Sequence, residues 1–323
     1  GRRAASLFLH FDHCDAGSEA SPFGWMVEAR SLRRALNAHL HALPDLTVFA
    51  PAVTRVARSS EAVEIDIEGG PLLRCQVVIG AEGRRSPLRE SAGIGVAQVS
   101  YHQTSVVCAV SHDLPHHGVA LEHFLPGGPF AVLPMPPIPD AVPGGAAHVS
   151  AIVWTERTKT AEIIAGLDDA RFATEIRRRI GGYLGEVRPI GRRWAYPLSA
   201  MLVQRYVDTR MALAGDSAHG IHPIAGQGLN LGFRDATALA GLLIEAHAAG
   251  DDLGSPGLLS RYERSRRPDN LAMLAATDAL DRLFSSDRPA IRLARDIGLG
   301  AVHRLPPVKR FFMRSAMGLY AAR

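Results

Sequence analysis

Apolar residues recur at Leu32, Ala35, Leu36 and Leu40, the spacing of one helix face. They predict a helix over residues 31–43, with Ser31 as its N-cap and Pro44-Asp45 as its stop. Alternation then takes over, and residues 53–56 and 63–67 read as strands, followed by a turn at Gly69-Gly70. The run from Cys75 to Gly80 is nearly continuous in apolar character and closes on Gly, the pattern of a buried parallel strand. Between Tyr101 and Tyr196 the texture changes. Strand-like runs at 105–110, 130–133 and 148–154 are separated by Pro126-Gly127-Gly128-Pro129 and Pro143-Gly144-Gly145, and one helix over about 160–180 interrupts them. That is the pattern of an antiparallel sheet inserted into an α/β domain. Residues 210–215 form a second buried run, followed by a Gly-rich loop and a long helix over about 228–248. A further amphipathic helix is predicted over 258–281, then helix broken at Pro289 and Pro306-Pro307, while residues 6–11 read as an opening strand.

Composition narrows the function classes. The chain has 323 residues, 47% apolar and 21% charged, with a formal charge of +4, too small and dispersed to argue for nucleic acid. Three scattered cysteines, Cys14, Cys75 and Cys108, make no CxxC pair and suit a reducing cytoplasm. No apolar stretch approaches the roughly 18 residues that cross a bilayer, and nothing resembles a signal peptide. His10, Asp12, His13, Cys14 and Asp15 look like a metal cluster, but alternate strand residues point to opposite faces, so no metal site is expected. His116-His117 reads as a solvated turn, and Trp25, Trp154 and Trp194 as core residues. The chain opens at Gly1 with no initiator Met, and we expect its natural start to lie upstream.

The chemistry concentrates after the second buried run. In Leu213-Ala214-Gly215-Asp216 a strand delivers a Gly and a carboxylate at its C-terminal end, where open α/β sheets bind ligands. Asp216 either caps a helix or accepts hydrogen bonds from ligand hydroxyls. His222-Pro223-Ile224-Ala225-Gly226-Gln227-Gly228-Leu229-Asn230-Leu231-Gly232 then places three glycines around a helix start. Such a backbone can approach a flat ligand closely, and the first helical N–H groups favour an electron-rich ring. His219 and His222 flank the loop, either as its structural partners or in a proton-transfer role.

Residues 210–235 resemble the second flavin-binding motif of the FAD-dependent aromatic hydroxylases of the para-hydroxybenzoate hydroxylase type, and the wording from His222 to Gly232 is closer still to the hydroxylases of ubiquinone biosynthesis. Val78-Ile79-Gly80-Ala81-Glu82-Gly83-Arg84-Arg85-Ser86-Pro87-Leu88-Arg89 is similar to that family's other internal motif, with Glu82 where the family has Asp. Phe124 with Gly128-Pro129, Val153-Trp154-Thr155 and Tyr262-Glu263-x-x-Arg266 extend the resemblance. It implies that Asp216, with Gly215, holds the ribityl hydroxyls of FAD. Pro223 and the backbone of Ala225, Gly226, Gln227 and Gly228, running on through Leu229 and Asn230, line the isoalloxazine. Arg33 or Arg34 approaches the FAD phosphates, and Glu82, Gly83 and Arg89 organise the NAD(P)H and flavin side.

The implied fold is a Rossmann-like FAD-binding domain over 30–98 and 205–250, incomplete at its amino-terminal side. Residues 1–29 and 99–204 supply the substrate sheet, and 251–323 a C-terminal helical region. The family's strand–Gly-x-Gly-x-x-Gly–helix, a unit of roughly 30 residues, is expected before Gly1, and without it the piece should be unstable, colourless and inactive. The implied activity is hydroxylation of a phenol, a polyprenyl phenol of ubiquinone biosynthesis, with NAD(P)H and O2. The rival readings are a halogenase or polyprenyl reductase on the same scaffold, or a flavin-free subunit of a biosynthetic complex. Location is expected to be cytoplasmic, with peripheral contact at the inner face of the membrane. The tail, where Arg282, Arg288, Arg292 and Arg295 accompany Phe311 and Phe312, either lies on an anionic interface or packs on the flavin domain.

Overall fold

The computed structural model describes residue 22, residues 24–137 and residues 148–284. The opening strand, the cluster at His10 to Asp15 and the tail helices after residue 284 lie outside the described residues. The chain divides into two units, one of Leu43–Thr104 with Tyr196–Asp281, the other of Ser105–Ala195 with residues 1–42 and 282–323.

The first helix, α1, spans Ala29–His41 and buries none of its residues. Its N-cap is Glu28, and Ser31 lies inside the first turn, donating to Glu28 Oε2 at 3.3 Å. The expected cap at Ser31 is therefore corrected by one turn.

In the unit of Leu43–Thr104 and Tyr196–Asp281, β1 (Thr54–Arg58), β2 (Val63–Ile67) and β3 (Leu72–Cys75) form an antiparallel meander. The apolar run from Cys75 to Gly80 is two strands, not one. β3 ends at Cys75, and β4 (Val78–Gly80) begins a second sheet in the order β10-β11-β4, with β10 at Val207–Asp208 and β11 at Met211–Leu213. A short helix, α2 (Pro87–Ser91), follows β4. The long helices are α5 (Gly228–Ala249) and α6 (Pro256–Phe284), α6 carrying Pro268 inside it. Met211, Ala212 and Leu213 are fully buried and share one core with Leu239, Leu259 and Tyr262. Fully burying a side chain such as Leu213 is worth about 1.5–3 kcal/mol. Arg210 seals the start of β11, with bonds of 2.7 Å from Nη1 and Nη2 to the two carboxylate oxygens of Asp252 and one of 2.9 Å to the Gln76 carbonyl.

The Ser105–Ala195 unit is a sheet backed by helices. Its strands are β6 (Leu121–Leu125), β7 (Gly128–Met135), β8 (His148–Arg157) and the unit's parts of β5 (Val96–His112) and β9 (Val187–Val203). The helix expected over 160–180 is two, α3 (Thr158–Ala165) and α4 (Asp169–Ile180). Gly166 ends the first, and Asp168 starts the second by accepting from Arg171 N at 2.8 Å. Phe130, Trp154, Phe172 and Ile176 fill the core between sheet and helices. Trp154 is core as expected. Trp25 and Trp194 are not, being 83% and 49% exposed, and Arg192 lies over the Trp194 ring.

Candidate FAD-binding edge

β4 and β11 run parallel, with Val78, Ile79 and Gly80 opposite Met211, Ala212 and Leu213, so both strands end at the same edge. Ala214 N donates to the Gly80 carbonyl at 3.0 Å, and the chain then turns. At Gly215 φ is +61°, a left-handed conformation that costs an L residue roughly 1–2 kcal/mol. The helix α5 crosses close behind, since a Cβ on Gly232 would lie 3.6 Å from Gly215 Cα. Ser217 places its hydroxyl proton between the carbonyls of Gly80 and Ala214.

This turn leaves the Asp216 side chain 52% exposed. The other motif reaches the same edge across more than a hundred residues of sequence. Arg84 Nε donates to Asp216 Oδ2 at 3.4 Å, and its Nη1 donates to the Ser199 hydroxyl at 2.6 Å. Arg89 is buried and donates to the carbonyls of Ser217 (3.1 Å) and Arg84 (2.8 Å), tying the two motifs through backbone. Glu82 turns inward, accepting from the Ser86 hydroxyl at 2.5 Å and from Leu88 N at 3.2 Å, so its carboxylate organises the start of α2. Gly83 has φ +81° and open space where a Cβ would stand.

Behind the turn sits a buried carboxylate that reading the sequence did not single out. Asp235, fully buried in α5, accepts from Gly215 N (3.0 Å), His219 Nε2 (2.6 Å), Arg266 Nε (2.9 Å) and Asn270 Nδ2 (3.0 Å). Burial alone would raise its carboxyl. The bonds from His219, Arg266 and Asn270 overcome that and hold it below the ordinary value. Asn270 also donates to the Tyr206 hydroxyl at 3.1 Å, and Tyr262 donates to the Leu213 carbonyl at 2.8 Å. Asp235 sits between Leu231 and Leu239 at four-residue spacing, all three buried, and a lone charge on an apolar helix face was the available signal. Arg266 and Arg84 stood inside quoted motifs without a role.

His222 is buried too. Its Nδ1 accepts from Ile224 N at 3.1 Å, capping the single turn Pro223–Ala225, and Nε2 faces Gln103 Oε1 at 3.1 Å and Asp281 at 3.6 Å. Burial holds the imidazole below its usual value, against the pull of Asp281 and Asp278. Both candidate histidines thus point into the protein. Gly226 follows at φ +61°, and α5 starts at Gly228 with no side-chain cap. Added Cβ atoms at Gly226 and Gly228 would meet nothing within 4 Å. Gln227 Oε1 accepts from Asn230 Nδ2 at 3.1 Å, and Leu229 is exposed. Arg33 and Arg34 lie exposed on α1. Among the described residues no group of His, Cys, Asp and Glu could hold a metal ion.

A parallel sheet edge with an outward carboxylate, left-handed glycines and an uncapped helix start is the geometry of a nucleotide-cofactor site. The family described as an FAD binding domain matches residues 26–277. The chain is 49% identical over 313 residues to the ubiquinone hydroxylase UbiL of Rhodospirillum rubrum, a match covering 97% of this chain and 70% of that protein. It is 33% identical to the 3-demethoxyubiquinol 3-hydroxylase of Escherichia coli, across 92% of this chain and 73% of that one. Among solved structures, the p-nitrophenol 4-monooxygenase PnpA of Pseudomonas putida superposes with a TM-score of 0.67 at 20% identity, over 91% of this chain and 73% of that chain, and shares the fold. The chain belongs to the FAD-dependent aromatic hydroxylases, in the group formed by those of ubiquinone biosynthesis. It is an enzyme with FAD as cofactor and NAD(P)H as co-substrate.

Proposed function

We propose that this enzyme adds a hydroxyl group to the ring of a polyprenylated phenol on the way to ubiquinone, and that the edge at Gly215-Asp216 holds the FAD. One observation carries the assignment of the site. Two motifs far apart in sequence meet at the C-terminal ends of β4 and β11, and the carboxylate they present is half exposed and, among the described residues, held by Arg84 alone.

The residues fit the group. Asp216 is oriented to accept hydrogen bonds from ribityl hydroxyls, since its solvent-screened pair with Arg84 is worth at most about 1 kcal/mol and is readily rearranged. The open space over Gly226 and Gly228 leaves room for a flat ring against the backbone of Pro223 to Asn230. The uncapped N-terminus of the 22-residue α5 presents N–H groups and the positive end of its dipole to that ring. Gly83, Arg89 and Glu82 shape the neighbouring loop. In this reading the unit carrying β4 and β11 is the FAD-binding domain, and the Ser105–Ala195 sheet receives the substrate. FAD, when bound, supplies the redox chemistry that links NAD(P)H and O2 to the ring. The protein's part is to position, to exclude water and to set the local field.

The similarity to UbiL and to the 3-demethoxyubiquinol 3-hydroxylase supports the substrate class. A polyprenyl tail partitions into lipid, so the reading includes cytoplasmic location with peripheral membrane contact. Among the described residues no helix is long and apolar enough to cross a membrane. Incubating the holoenzyme with NADPH, isotopically labelled O2 and a short-chain prenylphenol tests the proposal. The expected product carries one labelled oxygen on the ring. A saturated prenyl chain or an unlabelled product would refute it.

A further inference from the structure

We infer that Gln103 is a positioning residue of the cofactor site, accepting the Nε2 proton of His222 so that Nδ1 stays an acceptor and holds the Gly-rich loop in place. Gln103 lies on β5 and His222 opens the loop, 119 residues further along, and both belong to the unit of Leu43–Thr104 and Tyr196–Asp281. Three buried side chains make the connection, Asp281 on α6, then Gln103, then His222. Gln103 Nε2 donates to Asp281 Oδ1 at 3.4 Å, Gln103 Oε1 stands 3.1 Å from His222 Nε2, and Ile224 N donates to His222 Nδ1 at 3.1 Å.

The two ends of this chain set the direction of every bond between them. A carboxylate only accepts, so Gln103 turns its NH2 to Asp281 and its oxygen to His222. A backbone N–H only donates, so Nδ1 of His222 carries no proton and Nε2 carries one, which the Gln103 oxygen accepts. Reversing the amide alone, or the tautomer alone, sets like against like at two places, and in a buried site such unmade bonds are costly. A second proton on His222 would likewise point Nδ1–H at the Ile224 N–H. Burial disfavours that charge and outweighs the pull of Asp281 and Asp278 from α6, while β5 presents Gln103 and the edge-on Tyr101 ring, its centroid 4.7 Å away. Just before Gln103, His102 has φ +54°, a conformation that L residues rarely adopt and that persists where the surrounding structure fixes it. His222 in turn caps the turn Pro223–Ala225, ahead of Gly226 and the start of α5. That stretch is the one proposed above to lie against the FAD ring, and the inference rests on that reading. It adds a residue, distant in sequence, that fixes the loop from behind.

The FAD-loaded enzyme, isotopically labelled at its histidine nitrogens, reports the tautomer by NMR, with His222 assigned by its absence in His222→Asn. At neutral pH the wild type should show a neutral His222 ring with its proton on Nε2. Gln103→Met keeps the bulk and removes the acceptor. Part of its His222 population should then carry the proton on Nδ1, exchange at the Ile224 amide should quicken, and FAD affinity should fall about fivefold or more. A wild-type His222 protonated on Nδ1 overturns the inference whether or not the variant folds. So does a Gln103→Met enzyme that keeps both the wild-type tautomer and the wild-type Ile224 exchange. If the Ile224 amide is released while FAD affinity stays the same, Gln103 holds a loop that FAD does not touch, which overturns the FAD reading of the loop and the positioning role with it.

Discussion

Asp235→Ala should be among the most damaging single substitutions in this protein, although Asp235 faces away from the open edge. The variant removes the acceptor for Gly215 N, His219 Nε2, Arg266 Nε and Asn270 Nδ2 at once. Arg266 is buried and would keep the Asp269 carboxylate at 2.8 Å and the Asn270 amide oxygen at 3.1 Å. Removing one partner of a buried pair costs about 3–5 kcal/mol, because the other charge stays desolvated. Each neutral donor left unpaired adds up to about 1–3 kcal/mol, though such costs do not sum simply. For a chain of 323 residues, at about 2.1 cal/mol/K of unfolding entropy per residue, 3–5 kcal/mol corresponds to a fall in Tm of roughly 4–7 °C. The local consequence is sharper than the global one. The Gly215 amide loses its acceptor, so hydrogen exchange over Gly215 and Asp216 should quicken well beyond that over β1 to β3, and FAD affinity should fall with it. Asp235→Asn keeps the volume but turns an NH2 toward some of these donors, and should recover only part of the loss. Differential scanning fluorimetry with exchange mass spectrometry, on enzyme with and without FAD, makes the measurement. A Tm within about 2 °C of wild type, or Gly215 exchange no faster than that of β1 to β3, would refute the account of Asp235 as the support of the turn.

Three further expectations follow from the same geometry. Asp216→Ala should leave the Tm of the FAD-free protein nearly unchanged, since its one ion pair is half exposed, while loosening FAD by tenfold or more, read by flavin fluorescence titration; tight FAD binding in that variant would mean that Asp216 does not touch the cofactor. Gly228→Val should likewise spare the protein's own packing, because its side chain would enter open space, yet impair FAD binding; an unchanged dissociation constant would move the ring elsewhere. Cys108 is buried, and desolvation raises its thiol to about 12, so iodoacetamide at pH 8 should leave it unmodified until denaturant is added; rapid native labelling would contradict its placement in the core.

How far the sequence foretold this depends on which physical signals are local. The Gly215-Asp216 turn was legible because glycine and a polar residue punctuate a buried run, and that punctuation survives in one dimension. The split of residues 75–80 was not, because hydrophobicity alone does not separate the end of an antiparallel meander from a three-residue parallel strand. The break within 158–180 was marked by Gly166 and the Asp168 cap, local signals outweighed by an apolar periodicity that runs on either side. The histidines were harder. His219 and His222 adjoin the Gly-rich loop in sequence, yet their partners, Asp235, Gln103 and Asp281, stand 16, 119 and 59 residues away. Nothing in the loop itself shows that both rings turn inward. Asp235 shows the general difficulty most plainly. Its carboxylate, carried by α5, is met by groups from the turn after β11 and from α6, and each alone reads as an ordinary polar residue. Such a cluster is specified by folding, and the parallel pairing of β4 with β11 is what sets the Gly215 turn over that helix face. The same pairing brings Arg84 to Asp216, so the buried support and the exposed carboxylate are two sides of one turn. A change to either side should therefore be felt at the other, with the buried side moving stability and affinity together and the exposed side moving affinity alone.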